Sequence, residues 1–464
     1  MKHNNQNKQI IFNSLSTVLL TGINFFTTPI FTRLLGAAQY GKYNVYNSWV
    51  AILLPIVCLE THACIGPGKY KYENEYTKFK KNLLYFGCTT SICFFVIFLI
   101  FRKSISLLLG FSETMVIVLI VFSIASYIVE YVKNINAFEK KAEINFIISA
   151  FLVISSSILS IILIKNNIFG ELFEERALGA AIPYILFSLA FLGFFILKNR
   201  KIEIDFSMWK YALLYGYPIV FHLLSYDALN QANKLLLEYL GYEGVTVGVY
   251  SFMQVFSSAV VTIMYALNNS WCPFYYDDLN KQDIEKINRK VKNYIELFTV
   301  ICIGFILLSR EVCYLFATEE YMFGINLLPI FISITYLTFM YQFPVNFEYY
   351  NGKTKLITIG TIIAGLANII FNYLLIPEFG MYGSAIASLI SYLILFCCHF
   401  VMANRIEEMH FHVKIKDFMC GVVCLIISYM LFFFAKDLWI VRWLIGAIIG
   451  LYELLKIIKR KSIF

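Results

Sequence analysis

Four polar residues recur at helical spacing inside an otherwise apolar stretch of the sequence. Asp227, Gln231, Lys234 and Glu238 stand at positions i, i+4, i+7 and i+11, so a single helix would carry them on one face. Ionisable groups are costly in lipid, and such a face is typical of a wet path through a membrane protein. A lysine there would offer positive charge to an anionic substrate. A second interpretation stays open, in which Lys234 and Glu238 pair with each other near the external interface.

More polar side chains accompany this face. The adjoining face of the same run carries a histidine, a tyrosine and two asparagines, so half of the run must contact water or other polar groups. The run therefore supplies these substrate-binding candidates: His222, Tyr226, Asp227, Asn230, Gln231, Asn233 and Lys234.

The first apolar run adds three further candidates. Asn24 and Thr28 share a polar stripe, Pro29 interrupts the helical hydrogen bonds, and Arg33 follows at the end of the run. A proline inside a membrane helix frees backbone groups and permits a bend. Arg33 either binds a phosphate bidentately or extends to lipid head groups, and both interpretations stay open. We count Asn24, Thr28 and Arg33 as substrate-binding candidates.

Buried acids are the candidates for binding a coupling ion. Glu60, Glu130, Asp227 and Glu348 all fall within or at the ends of apolar runs. Each is either a proton or cation site or an ordinary interfacial residue.

The residues predict no catalytic, metal or cofactor site. His410 and His412 have no carboxylate or Cys partner at ligand spacing, and the eleven cysteines contain no C-x-x-C pair, so buried reduced thiols are expected. No Ser/His/Asp or paired-carboxylate pattern is present, and Gly352-Lys353-Thr354 lacks the earlier glycine of a phosphate-binding loop. The sequence therefore predicts that the protein is not an enzyme.

The elements that position these residues are membrane helices. Of the 464 residues, 59% are hydrophobic and only 15% charged, against about 45–50% and about 25% in soluble domains. The apolar residues form runs of roughly 20 residues, enough to cross about 30 Å of hydrocarbon as helices. We predict an all-α polytopic protein of about fourteen transmembrane helices, with the polar run near 211–237 as the seventh span and an interfacial helix at 271–292.

The basic residues predict the orientation. Although the formal net charge is +8, the lysines and arginines cluster in short segments between apolar runs, which is typical of membrane topology and not of nucleic-acid binding. With the amino terminus inside, basic residues on the cytoplasmic side outnumber those outside roughly three to one. Both termini are therefore expected in the cytoplasm.

Two landmarks indicate an internal repeat. Leu35-Gly36 with Gly41-Lys42-Tyr43 matches Leu240-Gly241 with Gly248-Val249-Tyr250, and 178–182 (LGAAI) matches 382–386 (YGSAI). Six spans per copy make the repeat parallel, an arrangement found in alternating-access transporters. The predicted domains are two six-helix lobes, 1–205 and 206–408, with two additional helices in 409–464.

The same motifs resemble a known family. The opening span with Thr32-Arg33-Leu34-Leu35-Gly36 and Tyr40-Gly41-Lys42-Tyr43 resembles the start of Wzx-like polysaccharide-unit flippases of the multidrug/oligosaccharidyl-lipid/polysaccharide exporter superfamily. Further similar segments are 240–250, 271–275 (WCPFY) and 382–386. Family members often have an Asp-Arg pair where this chain has Asn233-Lys234, so the positive charge is retained and the acid is not.

The resemblance implies a function and its setting. It implies a flippase that moves polyprenyl-diphosphate-linked oligosaccharides across the bacterial inner membrane for O-antigen or capsule assembly, with Na⁺ or H⁺ coupling and contacts to membrane lipids and other assembly proteins. No cofactor and no nucleic-acid partner are implied. Two alternatives stay open: a cation-coupled drug antiporter of the same superfamily, and a membrane polysaccharide polymerase or ligase.

Overall fold

The computed structural model describes residues 2–199, 203–242, 244–407 and 409–460, with side chains from Phe25 onward. Within these ranges the regular elements are all helices, as the sequence predicts. The helices are α1 Lys2–Cys58, α2 Ile65–Lys71, α3 Tyr76–Ile100, α4 Arg102–Leu109, α5 Glu113–Phe138, α6 Ala142–Asn166, α7 Leu172–Lys198, α8 Phe206–Asn230, α9 Ala232–Tyr239, α10 Val245–Asn280, α11 Ile284–Phe316, α12 Leu327–Tyr350, α13 Thr354–Asn404, α14 Ile415–Phe434 and α15 Trp439–Arg460.

Two of these helices are each two helices joined at a glycine. Gly36 in α1 has φ 68° and ψ 168°, and Gly380 in α13 has φ 55° and ψ −132°. Side chains disfavour both conformations, so a glycine at the break lets one span follow another without a loop. Among the described residues, nine helices are long and apolar enough to cross a membrane, and the bent pair Phe25–Cys58 with Thr61–Lys71 makes ten. Counting both halves of α1 and α13, and adding α8 and α15, the structure is compatible with fourteen spans.

The chain divides into two compact units. The first contains Met1–Thr27 and Lys42–Asp227, and the second contains Thr28–Gly41 and Ala228–Phe464. The predicted lobes 1–205 and 206–408 stay a prediction. In the structure α8 belongs to the first unit as far as Asp227, and the end of the first span belongs to the second.

A side-chain cluster fastens the start of α8 inside the first unit. Asn82 of α3 donates to the Glu203 carbonyl at 3.0 Å and accepts from the Asp205 amide at 2.8 Å. Asp205 in turn accepts hydrogen bonds from Ser207 and from Lys78, and these hold the pKa of its carboxyl below the usual range. The segment leading into α8 is therefore tied to α3.

The segment 28–41 is fastened inside the second unit. Thr32 Oγ1 donates to the Phe316 carbonyl at 2.9 Å, at the carboxyl end of α11. Beyond the Gly36 break, the Ala37 amide donates to Glu320 Oε1 at 2.9 Å. A carboxylate at a helix amino terminus satisfies an otherwise unpaired N–H and interacts favourably with the helix dipole. Glu320 therefore stabilises the start of the second half of α1.

An aromatic core holds α10, α11 and α12 together in the second unit. Trp271 is 1% exposed and stacks on Tyr275 with ring centroids 4.4 Å apart. It also contacts Tyr294 and Phe343. The predicted interfacial helix at 271–292 is therefore wrong, because α10 continues through Trp271 to Asn280 and buries Trp271 and Tyr275 against neighbouring helices.

Equivalent glycines of the predicted repeat pack in similar ways within their own units. Gly179 of α7 lies against Ser160 of α6, where an added Cβ would come within 2.4 Å of the Ser160 Cα. Gly383 in the second half of α13 lies against the first half, where an added Cβ would come within 2.2 Å of the Leu375 carbonyl oxygen. In both copies a glycine permits close packing of the fifth and sixth spans.

A buried arginine attaches the last two helices. α14 and α15 both pack against α11. Arg442 of α15 is 0% exposed and donates to the carbonyls of Leu307 (2.7 Å) and Ala435 (3.1 Å), and to the Glu311 carboxylate. The guanidinium thus has acceptors within a site from which water is excluded.

Replacing Arg442 by methionine is expected to destabilise the protein by about 3 kcal/mol, because it removes a fully buried cation from the Glu311 carboxylate and from the carbonyls to which it donates. Thermal unfolding in detergent measures the effect. Arg310→Met is the matched control: its partner Asp437 is 78% exposed, so the change should cost at most about 1 kcal/mol. Equal effects of the two changes would contradict this account.

Candidate functional site

The polar run of the seventh span is broken at its centre. α8 ends at Asn230 and α9 begins at Ala232, with Gln231 between them at φ −111°. Inside the second unit, Gln254 Nε2 donates to the Asn230 carbonyl at 3.2 Å and the Tyr392 hydroxyl donates to Asn230 Oδ1 at 3.0 Å. These two side chains donate to the backbone carbonyl and the side-chain amide oxygen of Asn230, at the point where the hydrogen bonds of a continuous helix are interrupted.

The break changes the predicted stripe. Asp227 lies in α8 and in the first unit, whereas Lys234 lies in α9 and in the second unit. The expectation of one continuous helical face from Asp227 to Glu238 is therefore wrong. The same polar residues lie on the two sides of the break at Gln231. Discontinuous membrane helices in transporters are typical of substrate and ion sites.

A buried amide and hydroxyl network fixes α9 against α13. Asn372 donates to Asn233 Oδ1 at 2.7 Å, and Ser384 donates to Asn372 Oδ1 at 2.7 Å. Asn368 donates to Ser388 at 3.4 Å and accepts from Asn372 at 2.9 Å. All five side chains are at most 3% exposed. Because polar groups buried in an apolar setting need partners, this network holds Asn233 in one position.

Asn233 is a candidate predicted from the sequence, whereas its partners in α13 were not predicted. Asn368 and Asn372 are spaced i, i+4, as are Ser384 and Ser388, so each pair lies on one helix face. That spacing in two consecutive apolar runs was the signal available in the sequence.

Lys234 follows directly after the fixed Asn233. Its side chain is buried, at 8% exposure, in the short helix α9. An ammonium group in such a position retains its charge only where polar or anionic groups meet it. Lys234, predicted from the sequence as a substrate-binding candidate, is therefore a buried lysine beside the break.

The other candidates of the seventh span differ in exposure. Tyr226 is 45% exposed, and Asp227, Asn230 and Gln231 are half-buried. His222 is also half-buried, and within the described ranges its Nδ1 has no hydrogen-bond partner. These residues present polar groups along α8 and the break.

The three substrate-binding candidates of the first span differ in their exposure and in what the structure describes of them. Asn24 lies outside the residues whose side chains the structure describes. Thr28 is buried, at 6% exposure. Arg33 is exposed, and its guanidinium donates to the Leu315 carbonyl at 2.8 Å, next to the carboxyl end of α11. A cation there stabilises the helix terminus, so Arg33 has a structural role whether or not it also contacts an anion.

The acidic candidates for a coupling-ion site also differ in burial and in their partners. Glu130 pairs with Lys133 one helical turn away, at 2.8 Å and with both side chains partly exposed, as in an ordinary surface ion pair. Glu348 is 0% exposed and contacts His399 Nδ1 at 2.8 Å. The His399 ring packs edge-on against Tyr341. Glu348 and His399 form a fully buried acid–imidazole pair inside the second unit.

The remaining acidic candidate lies in the first unit beside a histidine and a cysteine. Glu60 is 6% exposed, and its Oε1 lies 3.1 Å from His62 Nε2. The other ring nitrogen of His62 lies 3.9 Å from Cys58 Sγ. Leu59 and Glu60 both have positive φ, at 47° and 52°. Such conformations are uncommon for residues other than glycine and cost of order 1–3 kcal/mol each.

Known proteins share this architecture. The structure of "Lipid II flippase MurJ, inward closed conformation" matches with a TM-score of 0.71 at 17% identity, covering 97% of this chain and 99% of that one. An outward-facing multidrug resistance MATE family transporter of the MOP superfamily matches with a TM-score of 0.57 at 15% identity, covering 86% of this chain and 95% of that one. These likenesses confirm the predicted fold class, an all-α polytopic membrane protein.

Sequence comparisons identify the family. A protein of the Lsg locus of Haemophilus influenzae is 21% identical over 380 residues, which is 78% of this chain and 91% of that protein. A family model described as "Polysaccharide biosynthesis protein" matches residues 7–275, more than half of the chain. The predicted resemblance to the Wzx-like flippases is thereby confirmed, and this chain, a multi-pass membrane protein, belongs to the polysaccharide biosynthesis protein family.

Proposed function

We propose that this protein translocates polyprenyl-diphosphate-linked oligosaccharide repeat units from the cytoplasmic to the external leaflet, for assembly of a surface polysaccharide such as O-antigen or capsule. The observation that carries the proposal is the family match, together with a broken helix that has a buried lysine beside the break. A diphosphate needs cations and hydrogen-bond donors, the sugars need polar walls, and the lipid tail can stay in the bilayer.

The mechanism in this proposal is alternating access. The two compact units each have an internal core, so each can move as a body. The break at Gln231 and the polar groups of α9 would line the substrate path, with Lys234 meeting the diphosphate. The protein would reside in the bacterial cytoplasmic membrane with both termini inside, as the distribution of basic residues predicts. Other polysaccharide-assembly proteins would supply and receive the substrate.

The experiment is deletion in the native host followed by analysis of lipid-linked intermediates. We expect single, complete repeat units to accumulate in the cytoplasmic leaflet, and the intact gene to restore their export. Accumulation of single units on the external leaflet would instead indicate a polymerase. No change in these intermediates, together with increased sensitivity to cationic drugs, would favour the second candidate, a drug antiporter, which the similarity to a multidrug resistance transporter supports.

We further propose that transport is coupled to protons through Glu348 and His399. The pair is fully buried, and Glu348 Oε1 and His399 Nε2 have no hydrogen-bond partner among the described residues. Carboxyl and imidazole groups both bind and release protons, and such groups inside membrane spans are typical of proton relays.

Glu348→Gln is expected to lower transport by about tenfold or more and to remove its response to an imposed pH gradient, since the amide has no titratable proton. Proteoliposomes carrying the lipid-linked substrate provide the measurement. Glu130→Gln is the matched control and should retain both the rate and the response, because Glu130 has its own lysine partner. A response to sodium gradients alone would refute proton coupling.

A further inference from the structure

Three side chains of metal-ligating types converge at the break in the second span, inside the first unit. Cys58 ends α1, and Glu60 and His62 follow it at alternate positions. The thiol, one carboxylate oxygen and one imidazole nitrogen all lie within 4.8 Å of one another. All three residues are at most 7% exposed. The cluster is distinct from the residues proposed for substrate binding and from the Glu348–His399 pair.

The backbone is bent to bring these residues together. Leu59 and Glu60 occupy the left-handed region, and the short 3-10 turn Thr61–Cys64 begins a helical segment that lies at 56° to α1. In a continuous helix, residues two apart point in different directions, so the left-handed pair is what allows positions 58, 60 and 62 to converge. α8 closes over the break, because Gly216 packs where an added Cβ would lie 2.3 Å from the Leu59 carbonyl oxygen.

One atom of the cluster lacks a partner. Glu60 Oε2 is buried and has no hydrogen-bond partner among the residues that the structure describes. A carboxylate oxygen in that position is costly unless something neutralises it, and the lone imidazole contact serves only Oε1. The strained backbone holds the Glu60 carboxylate beside the thiol and the imidazole, which is the environment of a cation ligand.

The ligand set selects the class of cation. A thiolate, an imidazole and a carboxylate are ligands of Zn²⁺ and related divalent transition metals, whereas Mg²⁺, Ca²⁺ and Na⁺ favour all-oxygen sites. Cys58 as thiolate and Glu60 as carboxylate carry two negative charges, so a divalent ion with neutral His62 makes the whole group neutral. An ion site without net charge costs less free energy inside a membrane than one that carries a net charge.

We propose that Cys58, Glu60 and His62 bind one divalent transition-metal ion of the zinc class. Ligands around such an ion lie about 2.0–2.3 Å from it and roughly 3–4 Å from one another, so the side chains close in slightly by rotation. Binding displaces the thiol proton of Cys58. The three ligands come from both sides of the break, so the ion braces the bend of the second span against α8 and leaves one coordination position open.

The test is Co²⁺ titration of the purified full-length protein in detergent, with any affinity tag removed and the cysteines kept reduced. We expect one Co²⁺ per chain, a thiolate-to-cobalt charge-transfer band in the near ultraviolet, and loss of that band when Zn²⁺ is added. Mg²⁺ and Ca²⁺ should leave the band unchanged. Zn²⁺ should also raise the unfolding temperature of the wild-type protein.

Matched variants separate this site from other thiols. Cys58→Ser should abolish the band, and His62→Gln should weaken Co²⁺ binding about tenfold or more. Cys64→Ser is the control, since Cys64 is an equally buried cysteine whose thiol instead points to the Ala212 carbonyl. It should bind like the wild-type protein.

Two results would overturn the proposal. One is the absence of a thiolate band in the wild-type protein at saturating Co²⁺. The other is a band that survives Cys58→Ser, which would assign the metal to a different cysteine. If Cys58→Ser does not fold, His62→Gln and the Zn²⁺-dependent unfolding temperature of the wild-type protein decide the question.

Discussion

Replacing Lys234 by methionine is expected to lower translocation of the lipid-linked oligosaccharide by about 10- to 100-fold. Charge-assisted hydrogen bonds contribute about 1.5–3 kcal/mol, and each 1.4 kcal/mol corresponds to about a factor of ten. Methionine retains the length and apolar stem of lysine, so the change chiefly removes the charge. The ratio of lipid-linked units on the two leaflets in complemented cells provides the measurement.

Lys234→Arg and Lys210→Met are the comparison variants. Arginine keeps the positive charge and binds phosphate, so Lys234→Arg should retain most of the activity. Lys210 lies on the exposed start of α8, and its replacement should leave translocation unchanged. Full activity of Lys234→Met at wild-type protein levels would refute a role for this cation in substrate binding.

A structural role for Lys234 makes a different prediction. If the lysine only neutralises Glu238, Lys234→Met would leave a poorly compensated acid, and the double variant Lys234→Met/Glu238→Gln would restore the protein. If the lysine meets the diphosphate, the double variant stays inactive although it folds. Comparing the thermal stability of the two variants with their transport rates therefore distinguishes the two interpretations that the sequence leaves open.

The helical class was predictable because its signal is local and repeated. Each span is an apolar run that must satisfy its own backbone, so length and hydropathy suffice to predict it. The break at Gly36 is also predictable from a local signal, because only glycine readily adopts the backbone conformation found there. The family resemblance rests on the same short motifs at 35–43 and 240–250.

The candidate site was less predictable because tertiary contacts decide its geometry. The stripe from Asp227 to Glu238 assumed an unbroken helix, whereas Gln254 and Tyr392 stabilise the break from distant parts of the chain. Aromatic residues near Trp271 suggest an interface by composition, but the neighbouring helices bury them. The residue pattern of one segment does not predict which distant segment will pack against it.

The cluster of Cys58, Glu60 and His62 shows the same limit. Spacing by two is not a helical pattern, and it brings side chains together only because Leu59 and Glu60 adopt left-handed conformations. Neither residue type favours that region, so propensity gives no warning of it. Glu60 could therefore be identified from the sequence as an acid of interest, but its contacts with Cys58 and His62 could not be predicted.

Replacing Gly248 by alanine is expected to destabilise the second unit by about 3 kcal/mol or more, because two backbone segments touch at this residue. An added Cβ on Gly248 would lie 1.8 Å from the Ala37 carbonyl oxygen, and one on Gly41 would lie 2.6 Å from the Gly248 nitrogen. Since the obstructing atoms are backbone, no side-chain rotation relieves the overlap, and the helices must separate. Gly304→Ala in α11 is the control, because an added Cβ there meets nothing within 4 Å.

The consequence of that separation extends beyond stability. The segment 37–41, which follows the first span, packs against 244–248 at the start of α10. Two hydrogen bonds, from Thr32 to the Phe316 carbonyl and from the Ala37 amide to Glu320, hold the adjoining residues at the end of α11 and the turn that follows it. Gly248→Ala should therefore lower the unfolding temperature in detergent and reduce translocation in proportion to the folded protein that remains. An alanine variant as stable as the wild-type protein would mean that these helices tolerate a wider spacing. The repeat glycines would then owe their positions to something other than close packing.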